Sequence, residues 1–229
     1  MPTLFPELGE RVAEVTRSIA AAVARGGHGQ TVSLVAVTKA HGCDALREAW
    51  AAGITDIGEN RVQEALGKMA EFDEPVRWHL IGHLQRNKVR ALDRFFLFHA
   101  LDSLRLADAV NEVGCGRSKP VDVLVQVNPG REETKGGFHT GELQVTSERL
   151  ASMPGIRVLG VMTIARLGAG ESELRSTFAA ARASRHILAE AGHPATELSM
   201  GMSSDYEVAV EEGATLVRIG SYLFGARDQ

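Results

Sequence analysis

The stretch VSLVAVTKAHGCDALREAWAAGITDIGENRVQE, residues 32 to 64, reads as one β-α-β unit. Ser33 to Val37 is an apolar, β-type run that ends on a single amine, Lys39. Cys43 to Ala52 is alanine-rich and stops at Gly53, as a helix with a glycine terminator does. Asp56 and Ile57 then begin a second strand. Strand, helix and strand in succession argue for parallel pairing, because the intervening helix carries the chain back across the sheet.

Working outward, Val12, Val15, Ile19 and Val23 stand at helical spacing between Leu4 and Arg25, so an amphipathic helix precedes the first strand and stops at Gly26-Gly27. Further strands are predicted near Trp78–Leu80, Phe95–Ala100, Val121–Val127, Val158–Met162, Glu197–Leu198 and Leu216–Arg218, with helical patterns between them. Glu171 to Ala191 is the longest of these patterns and ends at Gly192. Roughly eight β-α units result, the number a closed parallel barrel requires. The second, third, seventh and eighth strands are short, so an open doubly wound sheet is the competing architecture. No linker, repeat or low-complexity run divides the chain. The expectation is an α/β fold, one (β/α)8 TIM barrel over residues 1–229.

The 25 basic and 29 acidic side chains give a formal charge of −4, which exerts no general pull toward nucleic acid or anionic membranes. Cys43 and Cys115 share no ligand spacing with each other or with histidine, so neither a disulfide framework nor a zinc site is expected. The chain shows no basic-then-apolar leader and no apolar run long enough to cross a bilayer. A cytoplasmic, monomeric protein acting on small molecules is the simplest expectation.

In a parallel barrel the strand C-termini form the functional face, and the loops after the last two strands commonly hold phosphate. Gly201 with Ser203 and Ser204, and Gly220 with Ser221, fall in those loops. Ser203-Ser204-Asp205 would equally serve as a plain helix N-cap. An amine flanked by buried strand residues is partly desolvated, which favours the neutral, nucleophilic form, although most lysines at strand ends simply reach solvent. Together, the lysine and the anion-binding loops point to a phosphorylated aldehyde such as pyridoxal 5'-phosphate (PLP).

Arg218 would project inward at the end of the eighth strand, where it could face a pyridine nitrogen; pairing with a surface carboxylate is the more common fate of arginine. Asn60 follows the second strand and could contact a bound ring, or cap a helix in register with Gln63. His79 and His83 invite a metal, yet lack a third ligand, so His79 reads as an interior hydrogen-bonding residue and His83 as a loop residue. Arg86, Lys88 and Arg90 form a basic face that is simplest as a solvated helix surface. The loop Val127–Phe138 is glycine-rich, a plausible cover for the site, and holds Lys135, the second choice for a Schiff-base lysine. Met162 could pack beside a ring or belong to the core.

The segments Ala36–Lys39, Ile57–Glu64, Trp78–Lys88, Gly160–Thr163, Ser199–Ser203 and Val217–Gly220 together resemble the pyridoxal phosphate homeostasis family. Ala40-His41-Gly42 departs from that family's pattern, where a proline often follows the lysine. The resemblance implies a barrel like the N-terminal domain of alanine racemase, with PLP held as a Schiff base on Lys39. It also implies phosphate contacts at Ser203, Gly220 and Ser221, Arg218 at the ring nitrogen, and Met202 and Asn60 among the cofactor-binding residues. It implies a role in intracellular vitamin B6 balance without established turnover, with PLP-dependent apoenzymes as possible partners. With eight residues after Ser221, no second domain carrying an opposing base is expected. The enzymatic alternatives are a PLP-dependent amino-acid racemase and a Schiff-base aldolase in which Lys39 attacks a sugar phosphate.

Overall fold

The computed structural model describes residues 4–130 and 136–225. Eight parallel strands close on themselves in chain order: β1 (Ser33–Val37), β2 (Asp56–Glu59), β3 (Arg77–Leu80), β4 (Leu97–Leu101), β5 (Val121–Gln126), β6 (Ile156–Met162), β7 (Glu197–Ser199) and β8 (Leu216–Ile219). The closing β8–β1 pair sets Val35 opposite Arg218 and Ala36 opposite Ile219, which excludes the open sheet. Each predicted strand is present.

Helix α1 (Leu8–Gly26) precedes the barrel, and α2 (Cys43–Ala51), α3 (Val62–Glu71), α4 (Leu104–Cys115), α5 (Leu143–Ala151), α6 (Glu171–Glu190), α7 (Tyr206–Glu211) and α8 (Ser221–Phe224) follow in turn. Between β3 and β4 the expected basic helix is instead a 3-10 helix, Arg86–Arg94. Its buried residues, Val89 and Leu92, lie three apart, which matches the three-residue turn of that helix and leaves the charged positions in solvent.

The strands are buried on both faces, as helices outside and side chains inside demand. Leu34, Ala36 and Ile57 belong to the sheet's apolar packing, whereas several inward positions are polar: Asp56, His79, His99, Ser199 and Arg218 are all buried. Helix α1 uses Leu8, Val15, Ile19 and Ala22 as its buried face. At its end Arg25 reaches Glu207 and Glu211 beside α7, an exposed pairing of small energetic weight. Among the described residues no helix is long and apolar enough to cross a membrane, and no group of three or more His, Cys, Asp or Glu could hold a metal. Cys43 and Cys115 are free thiols.

Candidate functional site

The C-terminal ends of the strands open on a cavity of about 1240 Å³. Lys39, Asn60, Met202, Ser203, Arg218, Gly220 and Ser221 all line it. These residues come from the ends of β1, β2, β7 and β8, so ring closure is what brings the two termini of the sheet together.

Lys39 is half-buried, and the backbone on either side of it is clamped. Thr38 is fully buried; its hydroxyl donates to Glu59 Oε1 (2.5 Å) and its carbonyl accepts from Lys68 Nζ (2.7 Å). Lys68 Nζ also donates to Glu59 Oε1 (2.5 Å) and to Glu64 Oε1 (2.9 Å), and the Ala40 amide donates to the same Glu64 oxygen (2.6 Å). Ala40 itself takes a left-handed φ of 64°, a conformation an alanine keeps only where its surroundings impose it. Burial pushes the Glu59 carboxyl up despite its bonds to Lys68 and Thr38. Burial acts on Glu64 too, but Lys68 and the Ala40 amide outweigh it and hold that carboxyl below its ordinary value. Lys68, committed to three acceptors, is thus a structural amine beneath the lysine that faces the cavity.

At the other side, Arg218 is 4% exposed. Its Nη1 donates to Ser199 Oγ (2.5 Å) and its Nη2 to the Thr163 carbonyl (2.9 Å). Burial lowers it to about 10, opposed by the nearby Asp205, so it remains a cation near neutral pH. A guanidinium has more donors than those two bonds use, which leaves some for the cavity it lines. Ser203 and Ser221 meet hydroxyl to hydroxyl at 3.2 Å, and the Tyr222 amide donates to Ser203 Oγ (3.3 Å). Gly201 makes this approach possible: its φ is +92°, and a Cβ there would lie 2.7 Å from Ala209 Cβ. The Met202 amide donates to Asp205 Oδ1 (2.6 Å), which closes the turn that carries Met202 and Ser203. Asp205 is the residue before α7 but makes no side-chain cap, so the three-residue N-cap reading of Ser203-Ser204-Asp205 gives way to a turn clasp.

The helix-cap reading of Asn60 is likewise replaced. Arg61 precedes α3 with no side-chain cap, Gln63 Oε1 takes Lys88 Nζ instead (2.9 Å), and Asn60 lies on the cavity wall. Gly82 lets the loop after β3 reach that wall, since a Cβ there would sit 2.2 Å from the Asn60 carbonyl oxygen. Met162 is a core residue and does not line the cavity, while His79 lies inside the barrel and His83 on the cavity's rim. Lys135 lies outside the described residues. Sequence reading missed Asp102, whose Oδ2 meets His83 Nδ1 at 3.0 Å, together with Asn128 and Gln126 on the wall and the Glu59–Lys68 clamp. The position of each directly after a strand was the signal available for Asp102 and Asn128. None existed for Lys68, which is read as a surface residue until α3 is docked.

Residues 14–228 match the family described as alanine racemase, N-terminal domain. The pyridoxal phosphate homeostasis protein of Pseudomonas aeruginosa is 41% identical over 224 residues, covering 96% of each chain. PipY of Synechococcus elongatus, solved without and with PLP bound, superposes with TM-scores of 0.86 and 0.83 at 36% and 37% identity, each covering 95% of this chain and 100% of PipY. Alanine racemase from Corynebacterium glutamicum, 18% identical, shares the fold with a TM-score of 0.70 over 92% of this chain and 61% of its own. The barrel, the cavity at its C-terminal mouth and these similarities lead to one assignment: the chain belongs to the pyridoxal phosphate homeostasis protein family, built on the barrel of the alanine racemase N-terminal domain.

Proposed function

We propose that this chain is a PLP-binding protein of vitamin B6 homeostasis, which holds the cofactor reversibly as a Schiff base on Lys39 and releases it to PLP-dependent apoenzymes without turning over a substrate of its own. The observation that carries this reading is the convergence of an amine, a buried cation and a pair of hydroxyls on one cavity. The names of the relatives, and the PLP in PipY, point the same way.

The residues present fit the cofactor. PLP supplies an aldehyde that condenses with an amine, and a pyridine ring that can draw electrons. Lys39 Nζ is the amine, held by the Thr38 and Ala40 clamp. Ser203, Gly220 and Ser221, with Met202 on the same turn, bind the phosphate end, where hydroxyl and amide donors suit an anion. At Gly220 a Cβ would approach the Val37 carbonyl to 3.1 Å, so a side chain there would narrow the cradle. Asn60 contacts the ring from the wall of β2. Arg218 meets the ring nitrogen as a donor. A cation there opposes protonation of that nitrogen and so weakens the electron withdrawal that carbanion chemistry needs, which favours holding over turnover.

The test is an absorbance spectrum of the purified protein, then borohydride reduction and peptide mapping beside Lys39→Ala. A Schiff-base band and a reduced adduct on Lys39, both lost in the variant, are expected. A protein that stays colourless after incubation with PLP overturns the reading and brings the aldolase forward. One observation favours a second reading, racemisation: His83, 71% exposed and paired with Asp102 on the rim, could move a proton. Interconversion of D- and L-alanine that disappears in His83→Ala would establish it.

A further inference from the structure

Asp56, His79, His99, Ser199 and Arg218 form one unbroken hydrogen-bonded row across the interior of the barrel. Asp56 and Arg77 are the first residues of β2 and β3, at the end of the barrel opposite the cavity. Arg77, 48% exposed in its side chain, donates to Asp56 Oδ2 and lies over the Phe96 ring. Asp56 Oδ1 meets His79 Nε2 at 2.8 Å, His79 Nδ1 meets His99 Nε2 at 2.8 Å, and His99 Nδ1 meets Ser199 Oγ at 2.8 Å. Arg218 Nη1 completes the row at Ser199 Oγ, and Arg218 lines the cavity.

The ends of the row dictate its direction. A guanidinium has no acceptor and must donate, while an ionised carboxylate has no hydrogen and must accept. Burial opposes ionisation of Asp56, yet the bonds from His79 and Arg77 outweigh it and keep the carboxyl below its usual range. Starting from Arg218, Ser199 Oγ accepts; with both imidazoles neutral and the His79 Nε2–H given to Asp56, the acceptor that remains in the row for the Ser199 hydrogen is His99 Nδ1. His99 then carries its proton on Nε2 and donates to His79 Nδ1, and His79 in turn donates from Nε2 to Asp56. Each interior member accepts once and donates once. With the proton on His99 Nδ1 instead, Ser199 would face two donors and find no acceptor in the row for its hydrogen. Burial also drives His99 well below the ordinary histidine range, consistent with a neutral ring.

We propose that Asp56 is a positioning residue for the ligand: acting through His79, His99 and Ser199 from the far end of the barrel, it fixes how Arg218 is oriented and which donors Arg218 turns to the cavity. The ligand-binding part rests on the PLP reading above; the proton arrangement does not. Chains of polarised hydrogen bonds strengthen one another in a low-dielectric interior, so a change at one end reaches the other.

Asp56→Asn makes a sharp test. Arg77 can only donate, so the oxygen of the introduced amide faces Arg77 and its N–H faces His79 Nε2. His79 and His99 must then both move their protons to Nδ1, and Ser199 is left with two donors. Histidine-selective 15N–1H spectra of ligand-free protein read these tautomers directly, and PLP titration reads affinity. Nε2–H on both rings is expected in the wild type. Nδ1–H on both, with PLP binding weakened roughly threefold to tenfold, is expected in Asp56→Asn. Adding Arg77→Met to Asp56→Asn frees the introduced amide to turn its oxygen to His79, and wild-type tautomers and affinity should return. Nδ1–H on either ring in the wild type overturns the relay even if the single variant does not fold. So does an Asp56→Asn protein with unchanged tautomers or unchanged affinity. A wild type that binds no PLP overturns the reading of the site, a result distinct from either.

Discussion

At the scale of single residues, Lys39 owes its placement to neighbours that do not line the cavity. Glu59 and Lys68 are 0% and 7% exposed, and they hold the Thr38 backbone and hydroxyl from outside the sheet. Removing one partner of a buried ionic cluster strands the other, whereas an isosteric amide keeps one acceptor in place. Glu59→Ala is therefore expected to lose about 3 kcal/mol of stability and Glu59→Gln about 1 kcal/mol, measured by urea unfolding. Equal losses in the two variants would show that the Glu59 oxygen is not what holds Lys68. Lys39 was legible in the sequence because its place at the end of an apolar strand combines with the glycine- and serine-bearing loops after the last two strands. Its clamp was not, because Glu59 and Lys68 acquire their partners only when α3 packs against the outside of β1 and β2.

At the scale of elements, the turn between β7 and α7 is the most constrained piece of the site. Gly201 combines a φ of +92° with a Tyr206 Cα that would lie 2.9 Å from any Cβ. Gly201→Ala should cost about 1–3 kcal/mol and weaken PLP binding, since relief of the clash displaces Met202 and Ser203. Gly141→Ala, at a position where a Cβ meets open space, is the control and should change stability by less than about 0.5 kcal/mol. Comparing the two denaturation midpoints, alongside PLP titrations, decides whether the turn geometry matters. The strands themselves were readable from short apolar runs between glycine-stopped helices. The 3-10 segment was not, because Val89 and Leu92 suit an α-helix or a 3-10 helix equally until the neighbouring helices α3 and α4 limit the space.

At the scale of the whole molecule, buried carboxyls on opposite sides of the barrel wall tie stability to pH in opposite senses. Asp56 titrates in the folded state below its ordinary value of 3.8, so it contributes stability that is present above that value and lost as pH falls through the folded one. Glu59 titrates above 4.5 when folded, so its ionisation costs stability, and acidification from the raised value down to 4.5 relieves that cost. Urea midpoints followed with pH should flatten in the upper window for Glu59→Gln and in the lower one for Asp56→Asn. A profile unchanged by either substitution would remove both carboxyls from the account. The sequence by itself determined the alternation of strand and helix, the closed barrel as the best match to their number, and the Lys39, Ser203, Arg218 and Ser221 candidates, because these rest on local periodicity, on turn residues and on position at strand ends. Only the tertiary structure decided that the barrel closes β8 against β1, that Lys68 and Glu59 brace Lys39, and that Asp56 is joined to Arg218 through two histidines and a serine. Those facts rest on hydrogen bonds between residues far apart in the chain, such as Ser33 with Thr215 and His99 with Ser199, and no local pattern encodes them.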